Sequence, residues 1–207
     1  MSADPGGFFI VFEGGEGAGK STQEALLARS LADRGHTVVR TREPGGTPAA
    51  EIMRDLVLNP QYEGLDARAE ALLFAAARGE HVARIVRPAL ERGDVVICDR
   101  YLDSSVAYQG VGRDLGAGRI RDLSLWATHE LVPDLTIVLD IGPEVGLSRL
   151  SNPDRLEAEP LEYHESVRQA YLTIASEDPA RYLVLDAMRD IDVLAAAICE
   201  RALKGLG

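Results

Sequence analysis

The sequence specifies an α/β fold: a five-stranded parallel sheet with helices on both faces, in one domain over residues 1–207. Three observations carry this reading. Short apolar runs alternate with longer amphipathic segments along the chain, the pattern of strand and crossover helix. The first run leads through a glycine-rich loop straight into a helix. The 207 residues, 46% of them hydrophobic, suffice for one sizeable core.

Phe8 to Phe12 is the first strand, and a helical pattern runs from Lys20 to Arg34. Between them stands G-x-x-x-x-G-K-S, with Gly14 and Gly19 as the glycines, then Lys20 and Ser21. This is a phosphate-binding loop, so the architecture is the P-loop NTPase type, a three-layer αβα sandwich. The glycines let several backbone N–H groups turn toward one anion, and the helix that follows aims its positive end there. Gly14, Gly15, Glu16, Gly17, Ala18, Gly19, Lys20, Ser21 and Thr22 form the expected ATP-binding loop. Lys20 reaches the β- and γ-phosphates, and the Ser21 hydroxyl ligates Mg2+. A dinucleotide loop needs G-x-G-x-x-G, which is not met. Of the 22 basic residues only Lys20 and Lys204 are lysine, so a compact ammonium is required at position 20.

The remaining elements follow in order. Thr37 to Thr41 is the second strand, and Glu43-Pro-Gly-Gly-Thr47 is a loop. A short helix opens at Thr47 or Pro48 and runs to Val57, ended by Asn59-Pro60. Ala67 to Arg92 is a long helical stretch in which Pro88 demands a kink or break. Val95 to Asp99 is the third strand, followed by loop and short helix from Arg100 to Gly112. Arg119 to Glu130 is helical, Leu135 to Asp140 is the fourth strand, and Glu144 to Leu150 is helical. Ser151-Asn-Pro-Asp-Arg155 breaks the pattern, and a short lid is expected at about 151–160. Glu162 to Glu177 is a helix, Tyr182 to Asp186 the fifth strand, and Asp192 to Lys204 the closing helix. Met1 to Gly7 is expected as a frayed leader.

The net charge is −11 and no basic run occurs, which disfavours a nucleic-acid partner. An anionic substrate must be drawn by local clusters of arginine. Cys98 and Cys199 lie in apolar segments with no metal-ligand spacing, as in a cytoplasmic protein with reduced thiols. There is no signal peptide and no bilayer-spanning run, so no membrane association is expected.

Ligands in such sheets bind beyond the carboxyl ends of the strands. Asp99, ending the third strand, is placed there to meet Mg2+ or its waters, or is a plain strand-end residue. Arg100 beside it is a phosphate clamp, and Arg42 reaches the same edge. Arg54 joins them or lies on a solvated face. Phe74 and Arg78, four apart on one helical face, suit a planar base with carbonyl oxygens; taken alone, Phe74 reads as core.

Together these motifs resemble the thymidylate kinase family over nearly the whole chain. They are Phe12-Glu-Gly-Gly-Glu-Gly-Ala-Gly-Lys-Ser-Thr22, Thr41-Arg-Glu-Pro-Gly-Gly-Thr47, Leu73-Phe-Ala-Ala-Ala-Arg78 with Glu80-His81, Asp99-Arg-Tyr-Leu-Asp-Ser-Ser-Val-Ala-Tyr-Gln-Gly110 and Asp154-Arg-Leu-Glu157. The resemblance implies phosphoryl transfer from ATP to dTMP with Mg2+, in a homodimer. It implies that Glu16 takes the 3′-hydroxyl, while Arg42 and Arg100 hold the monophosphate with Arg54 nearby. Phe74 would stack on thymine and Arg78 would bond its O4. Ser105 and Gln109 would contact the base edge, and Tyr108 would lie against the sugar. Pro44 resembles the family's cis-proline, placing Glu43 and Arg42 at the acceptor. Arg149 would lie near adenine, and Arg155 would be a mobile catalytic lid arginine, since Gly17 cannot supply the charge that an arginine there gives some relatives. The family commonly writes an acidic or polar residue where this chain has Ala77, and its lid often carries another arginine. Another nucleoside monophosphate kinase is disfavoured by Phe74, Arg78 and Gln109, and a GTPase switch by the lack of an Asn-Lys-x-Asp stretch.

Overall fold

The structure, a computed structural model, describes residues 6–207. Residues 1–5 of the expected leader lie outside the described residues. Gly6 and Gly7 are described, and pairing begins at once, with the Phe8 N–H donating to the Asp94 carbonyl at 3.3 Å.

Five strands form one parallel sheet: β1 (Phe8–Gly14), β2 (Val38–Arg42), β3 (Val95–Asp99), β4 (Leu135–Asp140) and β5 (Tyr182–Asp186). Their spatial order is β2-β3-β1-β4-β5. Side chains alternate across a strand. Phe9 and Val11 of β1 therefore enter the core on one face, and Ile10 and Phe12 enter the other. Burial on both sides explains why the central strands β1, β3 and β4 read as nearly unbroken apolar runs, while the edge strands β2 and β5 are partly exposed. Each such side chain, fully buried, contributes about 1.5–3 kcal/mol.

The second face is covered by α1 (Lys20–Ala32) and α9 (Ile191–Leu206), through Leu27, Leu31, Leu194 and Ile198. The first face is covered by α3 (Ala67–His81), α4 (Arg87–Glu91), α6 (Ala117–Thr128) and α8 (Leu161–Glu177), with Phe74, Leu90, Ile120 and Tyr171 in its core. Three helices complete the chain: α2 (Pro48–Leu58), α5 (Leu102–Ser105) and α7 (Pro143–Leu147). The Thr47 hydroxyl caps α2 by accepting from the Ala50 N–H at 3.2 Å, with Pro48 in the first turn, where a missing N–H costs nothing. Asp66 caps α3 through the Arg68 and Ala69 N–H groups. The expected break at Pro88 takes the form of a wide helical turn at Val82–Val86 between α3 and α4. Proline has no N–H and crowds the preceding turn, which a widened turn relieves. A second wide turn, Val106–Gly112, continues α5 where the sequence suggested loop and short helix.

The register sets the site. Phe12 and Arg42 both pair with Asp99, so β2 and β3 end together while β1 runs on to Gly14 beside β4, and the loop after β1 opens just beyond. Among the described residues, no helix is long and apolar enough to cross a membrane.

Candidate active site

A cleft of about 430 Å³ lies beyond these strand ends. Every residue singled out from the sequence lines it except Gly14, Gly15 and Arg155. Gly14 and Gly15 instead offer their carbonyls to the Lys20 ammonium, at 3.1 and 3.0 Å. Burial, and then the charge of Arg100, hold Lys20 below the ordinary lysine range. A desolvated cation at the first turn of α1, held by two carbonyls, is a site that an anion relieves. Gly17 has φ 64° and touches Gly146: a Cβ on either would strike the other segment's backbone. An arginine at position 17 therefore has no room without moving α7.

Glu16 projects from this loop and pairs with Arg100, while the Tyr108 hydroxyl donates to it at 2.9 Å. Burial opposes its ionisation, but Arg100, Lys20 and Tyr108 outweigh it and bring its pKa down to about 2. Arg100 also donates to the Gly14 carbonyl and the Tyr171 hydroxyl, both at 3.1 Å, and its guanidinium lies 5.2 Å from the centre of the Tyr108 ring. Its backbone is left-handed, φ 68°, a strained conformation for a side chain with a Cβ. The constraint that holds it is Glu13. This buried carboxylate accepts from the Tyr101 and Ser104 N–H groups at 2.9 and 3.1 Å, and from the Ser104 and Tyr171 hydroxyls at 2.7 and 2.9 Å. Burial and the nearby Asp103 push Glu13 up to about 7 despite these donors.

At the other end three guanidiniums converge. Arg42 pairs with Glu51 at 3.0 Å, and Arg54 donates to the Pro44 carbonyl at 2.9 Å. Burial, then the charge of Arg42, hold Arg54 below the ordinary arginine range, with Arg100 adding to the effect. The Glu43–Pro44 bond is cis. Arg78 is buried beside Phe74. It donates to Glu43 at 2.7 Å, to the Ser124 hydroxyl at 3.0 Å, to the Tyr101 carbonyl at 3.1 Å and to the Ser105 hydroxyl at 3.0 Å. A guanidinium has five N–H groups, so one remains for a ligand carbonyl. Glu43 is itself held by His81 at 2.9 Å, and His81 by Thr41 at 2.7 Å. Gln109 donates its amide N–H to Glu70 at 2.9 Å.

Asp99 and Ser21 both line the cleft, and Asp99 Oδ1 is buried with no hydrogen-bond partner among the described residues. An orphaned carboxylate oxygen in a cleft that a hydroxyl also lines offers the hard oxygen donors that suit Mg2+. Arg149 donates to the Gly17 carbonyl at 2.7 Å and contacts the Met188 sulfur at 3.5 Å. Arg155 is placed otherwise than expected. It is buried, donating to the Val57 carbonyl at 2.8 Å and to Glu70 at 2.6 Å. The longest exposed run of the lid is Ser151 to Pro153; Ala158 and Pro160 are exposed singly.

Sequence reasoning gave no role to Glu13, Glu70, His81 and Tyr171, although Glu13 and His81 stand within the quoted motifs. Glu13 had a signal, a carboxylate closing an otherwise apolar strand. The others are ordinary helix residues whose partners lie far along the chain.

The Glu16 pKa makes a test. A carboxyl lowered on folding adds stability that is complete above its unfolded value, about 4.5, and is lost as pH falls toward about 2. Wild type should exceed Glu16→Gln in urea midpoint at neutral pH, and the gap should close across that window. A gap that does not change with pH would show that the pairing contributes nothing to folding.

Comparison with known proteins agrees with this geometry. The thymidylate kinase family profile matches residues 12–198. A thymidylate kinase of Leifsonia xyli is 57% identical over 93% of this chain and 92% of its own. One from Deinococcus radiodurans is 49% identical over 93% and 94%. The crystal structure of the thymidylate kinase of Ehrlichia chaffeensis superposes with a TM-score of 0.79 at 33% identity, covering 95% of this chain and 98% of the other. With fold, cleft and sequence in agreement over nearly its full length, the chain belongs to the thymidylate kinase family.

Proposed function

We propose that the cleft holds ATP along Gly14–Thr22 and dTMP between α3 and the turn at Val106–Gly112, end to end across the Glu16–Arg100 pair. The reaction is the ATP-dependent phosphorylation of dTMP to dTDP. The acceptor phosphate oxygen is already a nucleophile, so the protein supplies position and charge compensation. The observation that carries the reading is the single cleft shared by a phosphate loop and a three-arginine cluster.

Lys20, the loop amides and Arg100 offset charge on the transferred group. Arg42 and Arg54 hold the acceptor phosphate with Arg100, Arg42 exchanging Glu51 for it. Glu16, kept ionised, accepts from the 3′-hydroxyl, with Tyr108 against the sugar. Phe74 stacks on the base, the spare N–H of Arg78 meets the 4-carbonyl, and Ser105 and Gln109 line the base edge. Glu43 and Pro44 carry the Arg42 loop, and Arg149 lies toward the adenine. Ser21 and Asp99 would hold Mg2+, which when bound neutralises phosphate charge. Arg155 can act on the phosphates only by leaving Glu70 and Val57. We read the chain as a single domain, supported by one sheet that both cores flank, and as cytoplasmic, supported by its two free cysteines.

The test is ADP release across the nucleoside monophosphates. Cytosine presents an amino group where thymine has a carbonyl, so two donors would face each other at Arg78, a cost of about 1–3 kcal/mol. dTMP should turn over and dCMP should be a poor acceptor, while folded Lys20→Met should lose about a hundredfold or more. Equal specificity constants for the two monophosphates would remove Arg78 from the base site. Normal turnover by Lys20→Met would remove the phosphate-loop assignment.

We also propose a homodimer. Ile52, Leu72 and Trp126 are 66%, 57% and 77% exposed on the adjoining helices α2, α3 and α6. Large apolar side chains this exposed on neighbouring helices suit burial against a second copy. Sedimentation should give a dimer that Trp126→Glu dissociates. A monomer at micromolar concentration would contradict the proposal.

A further inference from the structure

Glu70 lines no part of the cleft, yet it is fully buried and fully used. Its Oε1 accepts from Gln109 at 2.9 Å and Arg113 Nε at 3.4 Å. Its Oε2 accepts from Arg155 at 2.6 Å and Arg113 Nη2 at 3.3 Å. A carboxylate offers about four lone-pair sites, so none is left for a ligand. The cluster is charge-balanced: Arg113 also pairs with Glu159 at 2.6 Å, giving two cations and two anions. Arg155 and Glu159 both belong to the segment after Pro153. Its attachment is reinforced by the Arg155 N–H on the Leu58 carbonyl at 2.9 Å and the side chain on the Val57 carbonyl.

The same carboxylate decides what Gln109 presents. An ionised carboxylate only accepts, so it must face the NH2 end of the amide. The carbonyl end is then the part of Gln109 without this tie, an acceptor in a cleft lined by the residue. An acceptor there suits an N–H of a pyrimidine ring and opposes a ring nitrogen with a lone pair.

We propose that Glu70 is a positioning residue that couples two parts of the enzyme: it sets the orientation of the Gln109 amide and, with its other oxygen, anchors the Arg155–Glu159 segment. The inference rests on the proposed placement of Gln109 at the base edge. It makes Arg155 matter to acceptor binding from outside the cleft, the reverse of a mobile catalytic arginine.

Steady-state kinetics of Gln109→Ala, Arg155→Met and the double variant, on the full chain with ATP and dTMP, separate these cases. Loss of one hydrogen bond of about 1 kcal/mol is about fivefold in affinity. Arg155→Met should raise the KM for dTMP by about that factor while the KM for ATP stays within about twofold. Gln109→Ala should do the same, and the double variant should fall well short of the product, because both act through one amide. Arg155→Lys, which keeps a cation on Glu70, should restore part of the loss. If Arg155→Met does not fold, Glu70→Gln provides the second route: it keeps the shape but removes the rule that fixes the amide, and should raise the KM for dTMP selectively. An Arg155→Met enzyme with unchanged KM for dTMP and reduced kcat, or a multiplicative double variant, would overturn the coupling. Were Gln109→Ala itself without effect, the base-edge placement would fail first and the coupling with it.

Discussion

The pairing of Glu16 with Arg100 is the contact on which the site depends. One partner rises from the loop after β1, the other from the end of β3, and the pair ties that loop to the strand end inside the cleft. Neither charge would stay buried alone. A carboxylate in a phosphate-binding loop repels the ligand unless a cation shares it, and a left-handed arginine is strained unless its surroundings hold it. Glu13 provides the second condition. By taking two backbone amides and two hydroxyls, it fixes the turn that carries Arg100 onto the central strand. Sheet register, loop and clamp thus form one connected unit.

Charge is distributed to match. The chain carries a net −11, yet its cleft gathers Lys20, Arg42, Arg54, Arg78, Arg100 and Arg149. Each guanidinium is oriented by an acceptor: Glu51, the Pro44 carbonyl, Glu43, Glu16 or the Gly17 carbonyl. Preoriented cations need little rearrangement when a phosphate arrives, which is how a site gains charge stabilisation without paying for it at the moment of transfer. Glu16, Glu43, Asp99, Asp154 and Glu157 stand on the same walls, so the cations act on phosphates locally, where each is placed, and not through a strongly positive field over the whole cleft.

Much of this was legible in the chain. All five strands were recognisable: burial on both faces leaves uninterrupted apolar runs in the three central ones, such as Val95 to Cys98, and the edge strands β2 and β5 still carry short apolar, β-branched stretches. The phosphate loop was legible because its glycines, lysine and serine act at fixed spacing. The helical stretch around Pro88 was legible as a break, but not as a widened turn, since proline dictates only that the ordinary turn fails. Arg155 shows the limit. A turn-rich setting suggested a mobile residue, whereas its partners, Glu70 and the Val57 carbonyl, lie 85 and 98 residues away. Pairings over such distances depend on how α2 and α3 lie against the segment, which no local pattern records. Glu70, and the part His81 plays in holding Glu43, were hidden for the same reason.

The central claim is that Glu16 and Arg100 act as one unit in holding the acceptor against the donor. A double-mutant cycle on kcat/KM for dTMP measures this directly. Arg100→Met should lose about a hundredfold or more, because it removes phosphate charge compensation and leaves Glu16 uncompensated beside the phosphates. Adding Glu16→Gln to that variant should cost little further, since groups that act together are strongly non-additive. Losses that multiply would show that each residue acts alone, and would contradict the account.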